Sequence, residues 1–128
     1  MVGHIKELRF GKDKRLLNSK HYSCVFNSPD ARASHKNLLL LAKNNDLTTH
    51  RLGLVIAKKH VRLAVQRNRI KRVAREFLRT RPATVYCIDV VILARRDLDG
   101  LDNAQLSSIL MQQWEKLVNQ TTKTIPNN

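Results

Sequence analysis

Residues 66–79 read QRNRIKRVAREFLR, in which six residues are Lys or Arg and one is acidic. Placed on an α-helix at about 100° per residue, this stretch and the three residues before it divide into two faces. Leu63, Ile70, Val73, Ala74 and Phe77 fall on one arc. Asn68, Lys71, Arg72, Arg75 and Arg79 fall on the opposite arc, with Arg67 and Arg69 flanking it and Ala64 one turn before Asn68. Like charges three or four positions apart on a helix repel by a few tenths of a kcal/mol per pair. Such a helix needs an apolar surface under one face; its other face is either a solvated basic surface or, as so many arginines with so little acid favour, a surface for a polyanion. The fold must therefore clamp it on a core and leave the cationic side open.

The rest of the chain can supply that core. Its 128 residues make one domain, expected to span 1–128 with flexible ends at about 1–14 and 120–128. The apolar fraction of 42% excludes a disordered basic tail. The net charge of +14 points to a nucleic acid or an anionic surface. That charge is localised. Residues 1–46 carry net +5, residues 47–96 net +11 and residues 97–128 net −2. Between Asp46 and Asp89 the only acid is Glu76.

Cys24 and Cys87 are far apart and in no CxxC spacing, which reads as two reduced core thiols of a cytosolic protein. No apolar run is long enough for a signal peptide or a transmembrane span, so a soluble, cytoplasmic protein with no membrane partner is expected. His4, His21, His35, His50 and His60 have no metal-ligand spacing with one another or with the cysteines. Carboxylates are few, and no obvious acidic pair could hold two Mg²⁺ ions. No catalytic or metal-binding residue is expected in the chain.

Hydrophobic periodicity outlines the elements. Asn18 reads as the N-cap of a first helix, with Leu17 and Tyr22 as a hydrophobic staple; Tyr22, Val25 and Phe26 share a face, and Pro29 ends the helix. Aromatics at i and i+4 most simply read as core packing. Residues 37–43 read as a buried strand. Residues 51–59 form a second, with Leu52, Leu54 and Ile56 on its bulky face and Gly53, Val55 and Ala57 on the smaller one. A third strand lies within residues 85–96. Residues 101–118 read as a last helix, capped by Asp102 or Asn103, with an apolar stripe of Leu106, Ile109, Leu110, Trp114 and Leu117. The reading is a sandwich of helices against one small sheet.

The cations are mostly arginine, whose planar fork grips a phosphate through two bonds and also stacks on bases. Asn68 adds no charge and is a mediocre helix former. Its amide suits a 2′-OH, a base edge or the bracing of a neighbouring arginine. Lys58, Lys59 and Arg62 extend the cationic surface ahead of the helix. A DNA-binding helix in a major groove ranks last among the readings, because no helix-turn-helix partner precedes the basic helix. Composition alone does not separate a ribosomal RNA-binding protein from other RNA partners.

The run LGLVIAKKHVRLAVQRNRIKRVAREFLR resembles the signature of the protein subunit of bacterial ribonuclease P. That pattern is a strand ending in Lys-Lys, here Lys58 and Lys59, then a helix carrying Arg-Asn-Arg, one further residue and a (Lys/Arg)-Arg pair. Its counterpart in this chain is Arg67, Asn68, Arg69, Lys71 and Arg72, as read from RNRIKR. RLLNSKHYSCVF resembles the family's first helix with its two aromatics, and DVVILARR its last strand.

The resemblance implies an α+β fold of order αβββαβα, like the second domain of a small-subunit ribosomal protein, with a left-handed βαβ crossover against the usual preference. It also implies a fourth, short strand that periodicity does not locate. The implied function is assistance to a catalytic RNA that removes the 5′ leader from precursor tRNA, with Mg²⁺ bound mainly by the RNA. The implied assembly is one RNA and one protein, with no DNA partner and no cleavage by the protein alone. Lys58, Arg62, Arg67, Asn68, Arg69, Lys71, Arg72 and Arg75 would face the catalytic RNA. Tyr22, Phe26 and Lys59 would line the leader-binding cleft, with Tyr22 standing where family members often carry Phe.

Overall fold

In a computed structural model, the described residues are Arg15, 19–81 and 87–124. Helix α1 (Ser19–Asn27) leads into strands β1 (Ala31–Ser34), β2 (Leu38–Asn44) and β3 (Arg51–Val55). The basic helix α2 (Ala64–Arg79), strand β4 (Ile88–Ala94), a 3-10 turn (Leu98–Gly100) and helix α3 (Asn103–Thr124) complete the chain. The order αβββαβα is the one implied by the family resemblance.

The short strand that periodicity missed is β1, with sequence ARAS. Four small or charged residues hold too little apolar alternation to be read as a strand. Pairing with β2 makes it one, in the register Ala31↔Ala42 and Ala33↔Leu40. The sheet order is β1-β2-β4-β3, with β2 and β4 antiparallel, β3 and β4 parallel, and α2 crossing between the parallel pair. β2 and β4 are central and buried on both faces, so both read as near-continuous apolar runs. β3 ends at Val55, earlier than the sequence suggests, and Lys58 and Lys59 lie in the turn beyond it.

The two faces of the sheet are covered unequally. On one, Leu38, Leu40, Leu52, Val90 and Ile92 pack against Ile70, Ala74 and Leu78 of α2 and Leu106, Leu110, Trp114 and Leu117 of α3. On the other, α1 contributes a single fully buried residue, Val25, which packs with Leu41 and Val91 and with the partly buried Tyr22, Leu39 and Leu93. Cys87 is buried, but Cys24 is exposed, contrary to the expectation of two core thiols. A nine-residue helix has room for little more than one buried turn, and Cys24 precedes the residue that fills it.

Asp102 rather than Asn103 caps α3. Its Oδ1 accepts from the Gln105 backbone N–H at 2.7 Å, and Gln105 Oε1 accepts from the Asp102 N–H at 2.9 Å, a reciprocal capping box. The helix continues through Thr124, into the stretch expected to be a tail. Gln120 holds it there, exchanging two hydrogen bonds with the Arg32 backbone at 2.9 and 2.8 Å. The expected N-cap Asn18 and its staple partner Leu17 lie outside the described residues. Loss of the α3 cap in Asp102→Ala should cost about 0.5–2 kcal/mol of stability in chemical denaturation, with the denaturant slope unchanged.

Candidate nucleic-acid interface

The turn before α2 is built to hold cations outward. The His60 and Val61 N–H groups both donate to the Ala57 carbonyl, at 3.0 and 3.1 Å, and the Val61 side chain is fully buried. This leaves Lys58, Lys59 and Arg62 exposed around a fixed point. Leu63 then takes an extended conformation, offers no side-chain cap, and stands 58% exposed rather than on the core arc that its position suggested. Leu78 supplies the third buried anchor instead.

The Arg-Asn-Arg triplet splits in function. Arg67 folds back, its Nη1 donating to the Val61 carbonyl at 3.1 Å and the Arg62 carbonyl at 2.8 Å. Arg69 reaches sideways, donating to Gln66 Oε1 and to Asn103 Oδ1, both at 2.8 Å, with a longer approach to the Asp99 carbonyl at 3.4 Å. One arginine thus ties the helix to its preceding turn, and the other ties it to the start of α3. Asn68, between them, is exposed.

Asn68, Lys71, Arg72, Arg75, Glu76 and Arg79 line an open depression of about 380 Å³ along the outer side of α2. Arg79 was on the cationic arc, and Glu76 joins it as a partner: the pair meets at 2.5 Å, and the guanidinium holds the Glu76 carboxyl below its ordinary range. Asp89, the other acid of the basic segment, is buried and gripped by Arg51 through two bonds of 2.7 and 2.6 Å, with Asn45 Nδ2 donating at 2.8 Å. That hydrogen-bonded pairing raises the Arg51 pKa further. Both acids between residues 47 and 96 therefore already have arginine partners.

Tyr22 and Phe26, expected to line a cleft, lie on α1 at the thinly covered side of the sheet. Tyr22 packs its ring on the Val25, Leu41 and Val91 cluster, and its hydroxyl accepts from the Leu54 N–H on the edge strand β3 at 3.3 Å. Phe26, one turn on, is 40% exposed. Nearby, Val55 is also exposed, at 36%. Lys59 stands in the exposed turn after β3. Among the described residues, no group of three or more His, Cys, Asp or Glu could hold a metal ion. No helix among them is long and apolar enough to cross a membrane.

A small α+β domain with one arginine-lined helix, the single acid of that helix already paired, belongs to the class of proteins that hold a polyanion. The ribonuclease P family profile matches residues 10–118. A ribonuclease P protein component of Pseudomonas savastanoi is 46% identical over 84% of this chain and 81% of its own length. That of Stutzerimonas stutzeri is 45% identical over 90% of this chain and 88% of its own. The solved ribonuclease P protein of Staphylococcus aureus superposes with a TM-score of 0.72 at 21% identity, covering 80% of this chain and 93% of that one. The chain belongs to the ribonuclease P protein family.

Arg67→Ala and Arg69→Ala should each lower folding stability by about 0.5–1.5 kcal/mol, the net worth of hydrogen bonds whose acceptors are partly exposed and can be rehydrated. Arg72→Ala, on the exposed side of the same helix, should stay within about 0.5 kcal/mol of the parent in the same denaturation.

Proposed function

We propose that the chain is the RNA-binding subunit of ribonuclease P and assists a catalytic RNA in removing the 5′ leader from precursor tRNA. The observation that carries this is the depression lined by Asn68, Lys71, Arg72, Arg75 and Arg79, on a helix whose acid is already paired. Guanidinium forks spaced along one helical stripe suit consecutive phosphates of a structured RNA. In this reading Lys58 and Arg62 extend the same contact from the preceding turn. Arg67 and Arg69 act first by holding the helix in place, and Asn68 is free to meet a 2′-OH or a base edge.

Mg²⁺ supplies the charge stabilisation of phosphodiester cleavage. The side chains of this protein offer no fitting donor set for it among the described residues, so the RNA is its proposed holder. The protein's part is to neutralise phosphates and to hold substrate. One protein pairs with one RNA in the cytoplasm. The α2 crossover between β3 and β4 is proposed to be left-handed, in a fold like the second domain of a small-subunit ribosomal protein, as the family resemblance implies. Purified protein should cleave no precursor tRNA alone, yet restore leader removal by a bacterial ribonuclease P RNA at low Mg²⁺. Specific cleavage by protein free of that RNA, or no effect on the RNA's activity, would sink the proposal.

The leader is proposed to lie along the sheet face beside α1, with bases on Phe26 and Tyr22 and phosphates near Lys59. Phe26 is exposed enough that its removal should spare the fold. Phe26→Ala should weaken precursor binding to the holoenzyme by roughly 1–3 kcal/mol per lost stack, with mature tRNA binding and the melting temperature nearly unchanged. Equal loss for both tRNAs, tracking a lower melting temperature, would assign Phe26 to the core instead.

A further inference from the structure

The cationic depression has a neighbour of opposite character. Between α2 and α3 runs a groove of about 450 Å³, floored by Val73, Phe77 and Met111, with Arg81 and the exposed Ser107 at its margins. It shares two lining residues with the depression, Arg72 and Glu76. A string of cations thus gives directly onto an apolar slot. We propose that this groove takes one unpaired nucleotide of the bound RNA, its base in the slot and its phosphate on Arg72 and Arg75. This rests on the reading of α2 as an RNA-facing helix, and names a site within it.

Three features argue for a nucleotide. The Arg81 guanidinium lies 4.6 Å from the centre of the Phe77 ring and touches Met111 Sδ at 3.4 Å. Arg81 is only half-buried, so a flat cationic plate backed by an aromatic ring borders the slot, a surface on which a base stacks. The Phe77 ring is itself braced edge-on by Trp114, with centroids 6.0 Å apart. Finally, the Glu76 carboxylate stands on the rim common to both hollows. Its charge is balanced by Arg79, which holds both oxygens, and their remaining lone pairs face a base amine rather than a phosphate. The anionic part of a nucleotide is steered to the arginines and the uncharged part to the groove. An acidic peptide or a lipid headgroup would bring charge without a flat apolar partner for the slot.

The test uses the full-length protein and a bacterial ribonuclease P RNA, with Ser107→Leu and Met111→Ala as groove variants and Arg75→Ala as the stripe variant. Leu at 107 fills the mouth of the groove from an exposed helical position and cannot stack; Ala at 111 removes part of its floor. Wild-type protein should shield the base edge of one unpaired nucleotide from chemical modification. Both groove variants should re-expose that base, keep the backbone protections, and bind about 5- to 150-fold more weakly, the worth of one stack. Arg75→Ala should weaken binding and thin the backbone protections. Groove variants that bind and protect like wild type, while Arg75→Ala weakens binding, would overturn the groove and spare the interface. Wild-type protein with no affinity for the RNA would overturn both. A groove that instead captures a protein partner, with the RNA footprint untouched by Ser107→Leu, would also overturn it.

Discussion

The whole arrangement rests on the grip that the sheet has on one side of α2. Lys71, Arg72, Arg75 and Arg79 crowd successive turns, and each like-charged neighbour costs a few tenths of a kcal/mol. Ile70 and Leu78 are each worth about 1.5–3 kcal/mol when fully buried, and Ala74 adds to them. The apolar anchors therefore outweigh the repulsion, and the helix can carry more positive charge than it would tolerate alone. Arg67 and Arg69 add directional ties at the end where the helix has no side-chain cap. A motif that looks like a row of equivalent RNA contacts is thus partly a fastening.

The unequal covering of the sheet has a second consequence. Two helices close one face, and a nine-residue helix only begins to close the other. What remains open there is a surface bearing the exposed Phe26 and Val55, the place proposed for the leader. Asp89 would be a poor neighbour for a polyanion on that face. Its two bonds to Arg51 and one from Asn45 neutralise it in place. The same face therefore keeps a buried carboxylate without presenting a net negative charge.

Much of this was legible in the chain. The basic helix, the apolar stripe of α3 and the two central strands all have long, strongly periodic patterns, and the Arg-Asn-Arg run with its preceding lysines marks the family. Strand β1 was not legible, because ARAS has no pattern of its own and becomes a strand only by pairing with β2. Cys24 and Leu63 were expected inside and lie outside. In each case the periodicity was right about a helix or its flank but silent on how far the covering layer reaches.

Local pattern settles which residues can share a face, since that depends only on the 3.6- and two-residue repeats of the backbone. It therefore specified the elements of this protein other than β1, the sign and place of its charge, and the helix that carries it. Which cations remain available is a different kind of fact. Arg69 is drawn to Asn103, thirty-four positions away, Asp89 to Arg51, thirty-eight away, and Arg81 to Met111, thirty away. Those pairings exist because the sheet and the two helices on it bring distant segments within hydrogen-bonding reach. The lysines and arginines read alike in the chain, and the packing sorts them into those that fasten the fold and those left open on the surface.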